Sequence, residues 1–286
     1  MKFLNKNICG EFVELSKQID NESIDLVVTS PPYDDIRNYN SKISTKDGEI
    51  YSFNFTSMVD ELFRIIKKGG VVVWIVGDQV KKGGETANSF RQALEFIDKG
   101  FLLYDTMIYM KNGSPFPEKR RYSQVFEYMF IFSKGKPNTV NIIKDKKNKW
   151  SGHTNFGKRV MRDKDGNLKE MPRFEIAEYG NRYNVWKYST GKNYSTKDSI
   201  AFQHPAIFPE ELAEDHILTW SNEGDIVLDP MVGSGTTSKM SKMNNRNFIG
   251  FDINQDYIDI SNERLKGITP YDVNNPNPKV SFIVKR

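Results

Sequence analysis

DIVLDPMVGSGTTSKM, residues 225–240, reads as a short strand (Ile226 to Leu228), an acid and a proline (Asp229, Pro230), a glycine loop (Gly233, Ser234, Gly235) and a helix starting near Thr236. Glycine accepts positive φ and lets a backbone approach a ligand closely, and the loop follows a strand's carboxyl end, where doubly wound sheets bind nucleotides. A second strand, Asn247 to Phe251, ends in Asp252. An acid at that place can accept hydrogen bonds from both hydroxyls of a ribose. Working outward, apolar runs at 24–28, 71–76, 101–110 and 125–132 alternate with helical patterns at 55–67 and 87–99. Met58, Val59, Leu62, Phe63 and Ile66 recur at helical spacing in the first, and Phe90, Leu94 and Ile97 in the second; Gly69-Gly70 and Gly100 are expected to end these helices. Alternation of this kind predicts an α/β, doubly wound, mostly parallel sheet.

The loop is not a phosphate cradle. GSGTTSK lacks the GxxxxGK spacing of a P-loop, and Ser238 stands where dinucleotide binding wants a third glycine. Asp229 directly before the loop would repel a pyrophosphate, whereas it suits an ammonium or sulfonium. S-adenosylmethionine carries both, together with a ribose.

A second motif, TSPPY (Thr29 to Tyr33), follows the strand IDLVV. Pro31 and Pro32 fix φ and donate no N–H, leaving rigid carbonyl acceptors; Ser30 adds a hydroxyl and Tyr33 an aromatic face. Two acceptors that grip the protons of an exocyclic amine make its nitrogen more tetrahedral and more nucleophilic, while the tyrosine stacks on the ring.

The chain has 286 residues, room for one large domain or two small ones. A single cysteine, Cys9, excludes an internal disulfide and a cysteine-based metal framework, so no metal is expected and a reducing, cytoplasmic setting is. The apolar run in MKFLNKNICGEF breaks after two residues, and the longest, Val71 to Val76, is far short of a bilayer span of roughly 20 residues. Forty-one basic residues face 37 acidic ones, a net +4. That charge is concentrated: residues 134–173 hold 12 Lys or Arg against 4 Asp or Glu, leaving 29 against 33 elsewhere. Residues 134–200 are therefore read as an insert.

Together, TSPPY and DPMVGSGT, in that order, resemble the β class of amino-methylating DNA methyltransferases, a circularly permuted version of the Rossmann-like methyltransferase fold. The resemblance runs from NICGEF through GGVVVWIVGD, FEYMFIFSKGKP and HPAIFPEEL to NFIGFDIN, and leaves out about 140–200, where this class carries its target-recognition region. It implies a catalytic half (1–133), a recognition insert (134–200) and a cofactor-binding half (201–286) that packs with the first. Ser30 and the Pro31 carbonyl would accept from the target amine, with Pro32 holding the turn and Tyr33 stacking on the flipped base. Asp229, Pro230, Gly233, Ser234, Gly235 and Thr236 would line the methionine part of S-adenosylmethionine and Asp252 would hold its ribose. His204, Ala206 and Phe208 of HPAIFPEEL would close over it. Where the family has Gly-Asp near its start this chain has Gly10-Glu11.

Carbon-5 methylation needs a nucleophilic cysteine, and Cys9 lies far from TSPPY in the sequence. Direct attack by an amine needs only alignment and acceptors. In the family, serine at the first motif position accompanies N4-cytosine enzymes and aspartate N6-adenine enzymes, so N4-cytosine is the first expectation and N6-adenine the alternative. The resemblance implies double-stranded DNA as the partner. Lys146, Lys147, Lys149, Lys158, Arg159, Arg162 and the cluster Lys119, Arg120, Arg121 would meet phosphates, while Trp150, His153, Asn155 and Phe156 would reach bases. The family further implies a homodimer and a cognate restriction endonuclease on a separate chain. A DNA-binding module without catalysis would leave both sheet-edge motifs unexplained; RNA or a protein amide are the other substrates such a site could grip.

Overall fold

The computed structural model describes residues 1–31, 54–113, 120–154 and 160–284. Among these, eight strands form the central sheet: β1 (Lys6–Cys9), β2 (Ile24–Thr29), β3 (Ile66–Val76), β4 (Leu102–Lys111), β5 (Phe126–Ser133), β6 (Val185–Tyr188), β7 (Ile226–Asp229) and β8 (Asn247–Asp252). Their spatial order is β1-β8-β7-β2-β3-β5-β4-β6. Every neighbouring pair is parallel except the two that involve β5. The helices are α1 (Phe12–Ser16), α2 (Phe55–Ile65), α3 (Asn88–Lys99), α4 (Glu210–Trp220), α5 (Thr236–Met243) and α6 (Gln255–Leu265). The doubly wound, mainly parallel sheet expected from the alternation is what forms.

Period-2 alternation along β3 explains why both faces are covered. Val72, Trp74 and Val76 pack with Met58, Leu62 and Ile65 of α2 and Phe96 of α3. Val71, Val73 and Ile75 pack on the other face with Leu212, Ala213 and Ile217 of α4 and Met240 of α5. From the adjacent strands β7 and β2 the chain departs in opposite directions, through α5 to β8 and through α2 to β3. The carboxyl ends of β7 and β2 therefore flank the switch point, the crevice where such sheets take ligands.

Three local expectations are corrected. Helix α2 ends at Ile65, because Ile66 is already extended and pairs with Ile24 of β2. Gly69 and Gly70 thus lie inside β3, where they exchange backbone hydrogen bonds with Lys134. Helix α3 buries Ser89, Ala93 and Phe96, whereas Phe90, Leu94 and Ile97 are 48%, 59% and 39% exposed. Polar anchors set that rotation: Asp78 accepts from the Ser89 amide (3.0 Å) and hydroxyl, and Trp74 Nε1 donates to Gln92 (2.9 Å). Finally, the 134–200 span is continuous with the core, since β6 pairs with β4 and Ile143, Trp186 and Tyr188 are buried. Gly100, with φ +113°, caps α3 as expected.

Candidate active site

Asp229 ends β7 and Thr29 ends β2, and the two strands are neighbours. The Thr29 hydroxyl donates to Asp229 Oδ1 at 2.7 Å, and the Met231 amide donates to the same oxygen at 3.1 Å. A second tie comes from α5, whose Thr237 hydroxyl donates to the Val28 carbonyl at 3.0 Å. Ser30 and Pro31 follow directly on Thr29, so the start of the SPPY motif is fixed to the start of the glycine loop. Pro32 and Tyr33 lie outside the described residues.

The loop itself needs its glycines. Gly233 has φ +47° and a Cβ there would meet His204 Nε2 at 2.8 Å; Gly235 has φ +83° and a Cβ would meet the Ser261 backbone at 2.9 Å. From the other side the Gly233 amide donates to Asp252 Oδ2 at 3.0 Å, and the Asn254 amide to Asp252 Oδ1 at 2.9 Å. The two acids predicted from the sequence are thus joined to one loop, at the carboxyl ends of adjacent strands.

Their charge is the site's main electrostatic feature. Asp229 is only 2% exposed, and burial pushes its carboxyl up to about 6 even though Thr29 and the Met231 amide donate hydrogen bonds to it. Asp252 is also pushed up to about 6 by burial, against the lowering effect of the Asn254, Gly233 and Ile253 amides. Among the described residues, no lysine or arginine forms an ion pair with either acid.

His204 precedes α4, packs edge-on to Tyr257 (centroids 4.3 Å apart), and accepts the Ala206 amide at Nδ1 (3.1 Å). Its Nε2 faces Gly233, which places the HPAIFPEEL segment against the loop. Pro230 is buried, and Phe208 packs, partly buried, on the α4 side of the sheet. Ser234 and Thr236 have their hydroxyls occupied by Arg264 Nη1, at 3.1 and 3.2 Å. Glu11 caps α1, its carboxylate accepting the Glu14 amide at 2.8 Å. Cys9, at the end of β1, is close to the Ile253 carbonyl (3.6 Å).

The basic candidates occupy different ground. Lys146 and Lys147 form a two-residue ribbon with Tyr179–Gly180, and the Lys149 ammonium lies 5.3 Å from the ring centre of Trp150, which is 53% exposed. His153 stands edge-on to Trp150. Arg162 lies on the exposed hairpin of Val160–Arg162 with Leu168–Glu170 and donates to the Gly166 carbonyl (2.9 Å). Arg120 is exposed, and Arg121 donates to the Gly83 carbonyl at 2.8 Å. Lys119, Asn155, Phe156, Lys158 and Arg159 lie outside the described residues.

Sequence reasoning missed Thr29 as the bridge to Asp229, Thr237, Tyr257 and the buried Arg264. Thr29 had a signal, being the residue directly before SPPY at a strand end, and Thr237 comes two residues after Gly235 of the glycine loop; Tyr257 and Arg264 are joined to the site only through long-range packing.

Comparison with known proteins agrees with this arrangement. Residues 24–263 match the DNA methylase family. The chain is 56% identical over 253 residues to the orphan methyltransferase M.BamHII of Bacillus amyloliquefaciens, covering 88% of this chain and 92% of that one. It is 30% identical over 293 residues to the type II methyltransferase M.HinfI of Haemophilus influenzae, covering 96% and 71%. The PvuII cytosine-N4-specific DNA methyltransferase has the same fold, with a TM-score of 0.63 at 21% identity over 92% of this chain and 87% of that one. A second solved structure, the complex of M1.HpyAVI with SAM, has a TM-score of 0.59 at 20% identity over 91% of this chain and 98% of that one. With the start of SPPY and the glycine loop at one sheet edge and a family match over residues 24–263, this chain belongs to the S-adenosylmethionine-dependent DNA methylases that modify the amino nitrogen of cytosine or adenine.

Proposed function

We propose that the chain methylates the exocyclic N4 amine of cytosine in duplex DNA, by direct attack of a base flipped out of the helix, as the modification enzyme of a restriction-modification system. The observation that supports this reading is the 2.7 Å hydrogen bond from Thr29 to Asp229, which ties the residue before Ser30 and Pro31 to the start of the glycine loop. S-adenosylmethionine fits the residues: Asp229 is a buried acid with no lysine or arginine ion pair among the described residues, at the carboxyl end of β7 where doubly wound sheets take ligands. When bound, it supplies an activated methyl group.

Ser30 and the Pro31 carbonyl accept the amine's protons and aim the nitrogen lone pair, and Tyr33 stacks on the base. Asp229 faces the cationic end of the cofactor. Asp252 already accepts one backbone amide on each oxygen, and a carboxylate oxygen has a second lone pair for a ribose hydroxyl. Lys146, Lys147, Lys149 and Arg162 meet phosphates, with Trp150 as a stacking residue. The homodimer and the separate endonuclease belong to the same reading, as does a cytoplasmic location. The exposed Phe90, Leu94 and Ile97 of α3 support pairing with a second copy.

Incubating the protein with plasmid DNA and cofactor, digesting to nucleosides and weighing the products tests the reaction. N4-methylcytosine is expected. N6-methyladenine would overturn the base assignment while keeping the family, and 5-methylcytosine would overturn the mechanism.

A further inference from the structure

Arg264 lies on α6 with its side chain fully buried, 0% exposed, beneath the glycine loop. Its fork is spent in three directions. Nη1 donates to the Ser234 carbonyl (2.7 Å) and hydroxyl (3.1 Å) and to the Thr236 hydroxyl (3.2 Å). Nε donates to Asp198 (2.9 Å), and Nη2 to Glu210 (2.6 Å) and the Thr196 hydroxyl (3.4 Å). Lys239 of α5 binds the same two acids at 2.8 and 2.7 Å, so two cations offset two carboxylates and the cluster carries no net charge. Burial alone would raise the Asp198 carboxyl, but the hydrogen bonds from Lys239 and Arg264 hold it below its usual value.

The ends of this cluster are what give it meaning. Ser234 stands between the two positive-φ glycines, Asp198 directly precedes the Ser199–Gln203 turn that leads into His204, and Glu210 begins α4. One side chain therefore reaches the cofactor loop and both ends of the segment that lies against it. A lysine could neutralise the acids but has no planar fork to serve three directions at once.

We infer that Arg264 is a positioning residue for the cofactor: it fixes the Gly233–Thr236 backbone and holds the His204 segment against it. This rests on the proposed role of that loop in binding S-adenosylmethionine. Arg264→Lys keeps the charge and is the first variant; Ser234→Ala, which removes one contact of the fork, is the milder second should the first fail to fold. Two readouts separate positioning from general stability: calorimetric affinity for S-adenosylmethionine, and amide hydrogen exchange of the cofactor-free protein. Affinity is expected to fall roughly tenfold in Arg264→Lys and severalfold in Ser234→Ala. Exchange at residues 232–237 should quicken at least tenfold while β3 stays as protected as in the parent. Unchanged affinity and unchanged exchange in both variants, beside a parent protein that binds the cofactor, would overturn the inference alone. A parent that does not bind S-adenosylmethionine would overturn the reading of the loop and this inference with it.

Discussion

The cofactor edge and the basic segment are built on opposite plans. At the edge, Asp229, Asp252, Thr29 and Gly233 are joined across β2, β7 and β8 by hydrogen bonds, and Asp229 is buried. In the segment, ribbons of two or three residues carry Lys147 into solvent and hold Lys146 half-buried against Tyr183, and the Val160–Arg162 hairpin is exposed throughout. Chemistry at an amine needs groups held within a fraction of an ångström, whereas phosphate attraction acts over a Debye length of about 8 Å and tolerates loose placement. Substitutions at the edge should therefore act steeply and one at a time, and substitutions in the segment gradually and in sum.

The sharpest break is expected at Ser30. Ser30→Ala should slow single-turnover methyl transfer by roughly 10²- to 10³-fold, the scale for removing one pre-organised hydrogen-bond partner of the reacting group, with cofactor affinity nearly unchanged. Full activity would remove Ser30 from the mechanism. Asp229→Asn comes next: calorimetry should find S-adenosylmethionine binding weakened by roughly 30-fold or more, from about 2 kcal/mol for losing one partner of a buried charge pair.

The acids also set a pH dependence. Both carboxyls sit near 6 in the free protein, above their ordinary value, so the free protein loses stability as pH rises from about 4 through 6. A cationic ligand favours the ionised form, so the rise in melting temperature on adding cofactor should grow between pH 5 and pH 7. A rise that is flat or shrinks would separate these acids from cofactor binding.

In the basic segment, replacing Lys146, Lys147 and Lys149 together by alanine should flatten the dependence of log affinity for DNA on log salt by roughly 2 to 3, about 0.9 for each lost phosphate contact. Transfer at saturating DNA should keep its rate. The smallest effect belongs to Glu11→Ala, which removes the cap on α1 and should cost about 1 kcal/mol of stability, seen by denaturant titration, without touching cofactor affinity.

The same contrast explains what could be read from the residues in advance. The glycine loop, SPPY and the terminal acid of β8 are local patterns, each complete within a few positions. Strand β3 was legible because an unbroken apolar run has one common use, a strand buried on both faces. The rotation of α3 was hidden because Asp78 and Gln92 outweigh the apolar stripe of Phe90, Leu94 and Ile97, and no periodicity reports a polar anchor. Strands β1 and β6 have four residues each, too few for a period to register, and unlike the equally short β7 they are followed by no glycine loop that marks them. Arg264 looked like any helical arginine; its partners Asp198, Glu210 and Ser234 come from three other parts of the chain.

A crystal structure with a non-reactive cofactor analogue and a duplex holding the target base tests the joining of the two sheet-edge motifs most directly. It should place the target amine roughly 3–3.5 Å from the position of the transferable methyl, with the amine donating to Ser30 and the Pro31 carbonyl and the analogue's cationic end facing Asp229. An analogue bound away from the Gly233–Thr236 loop, or an amine held by residues other than Ser30 and Pro31, would contradict it.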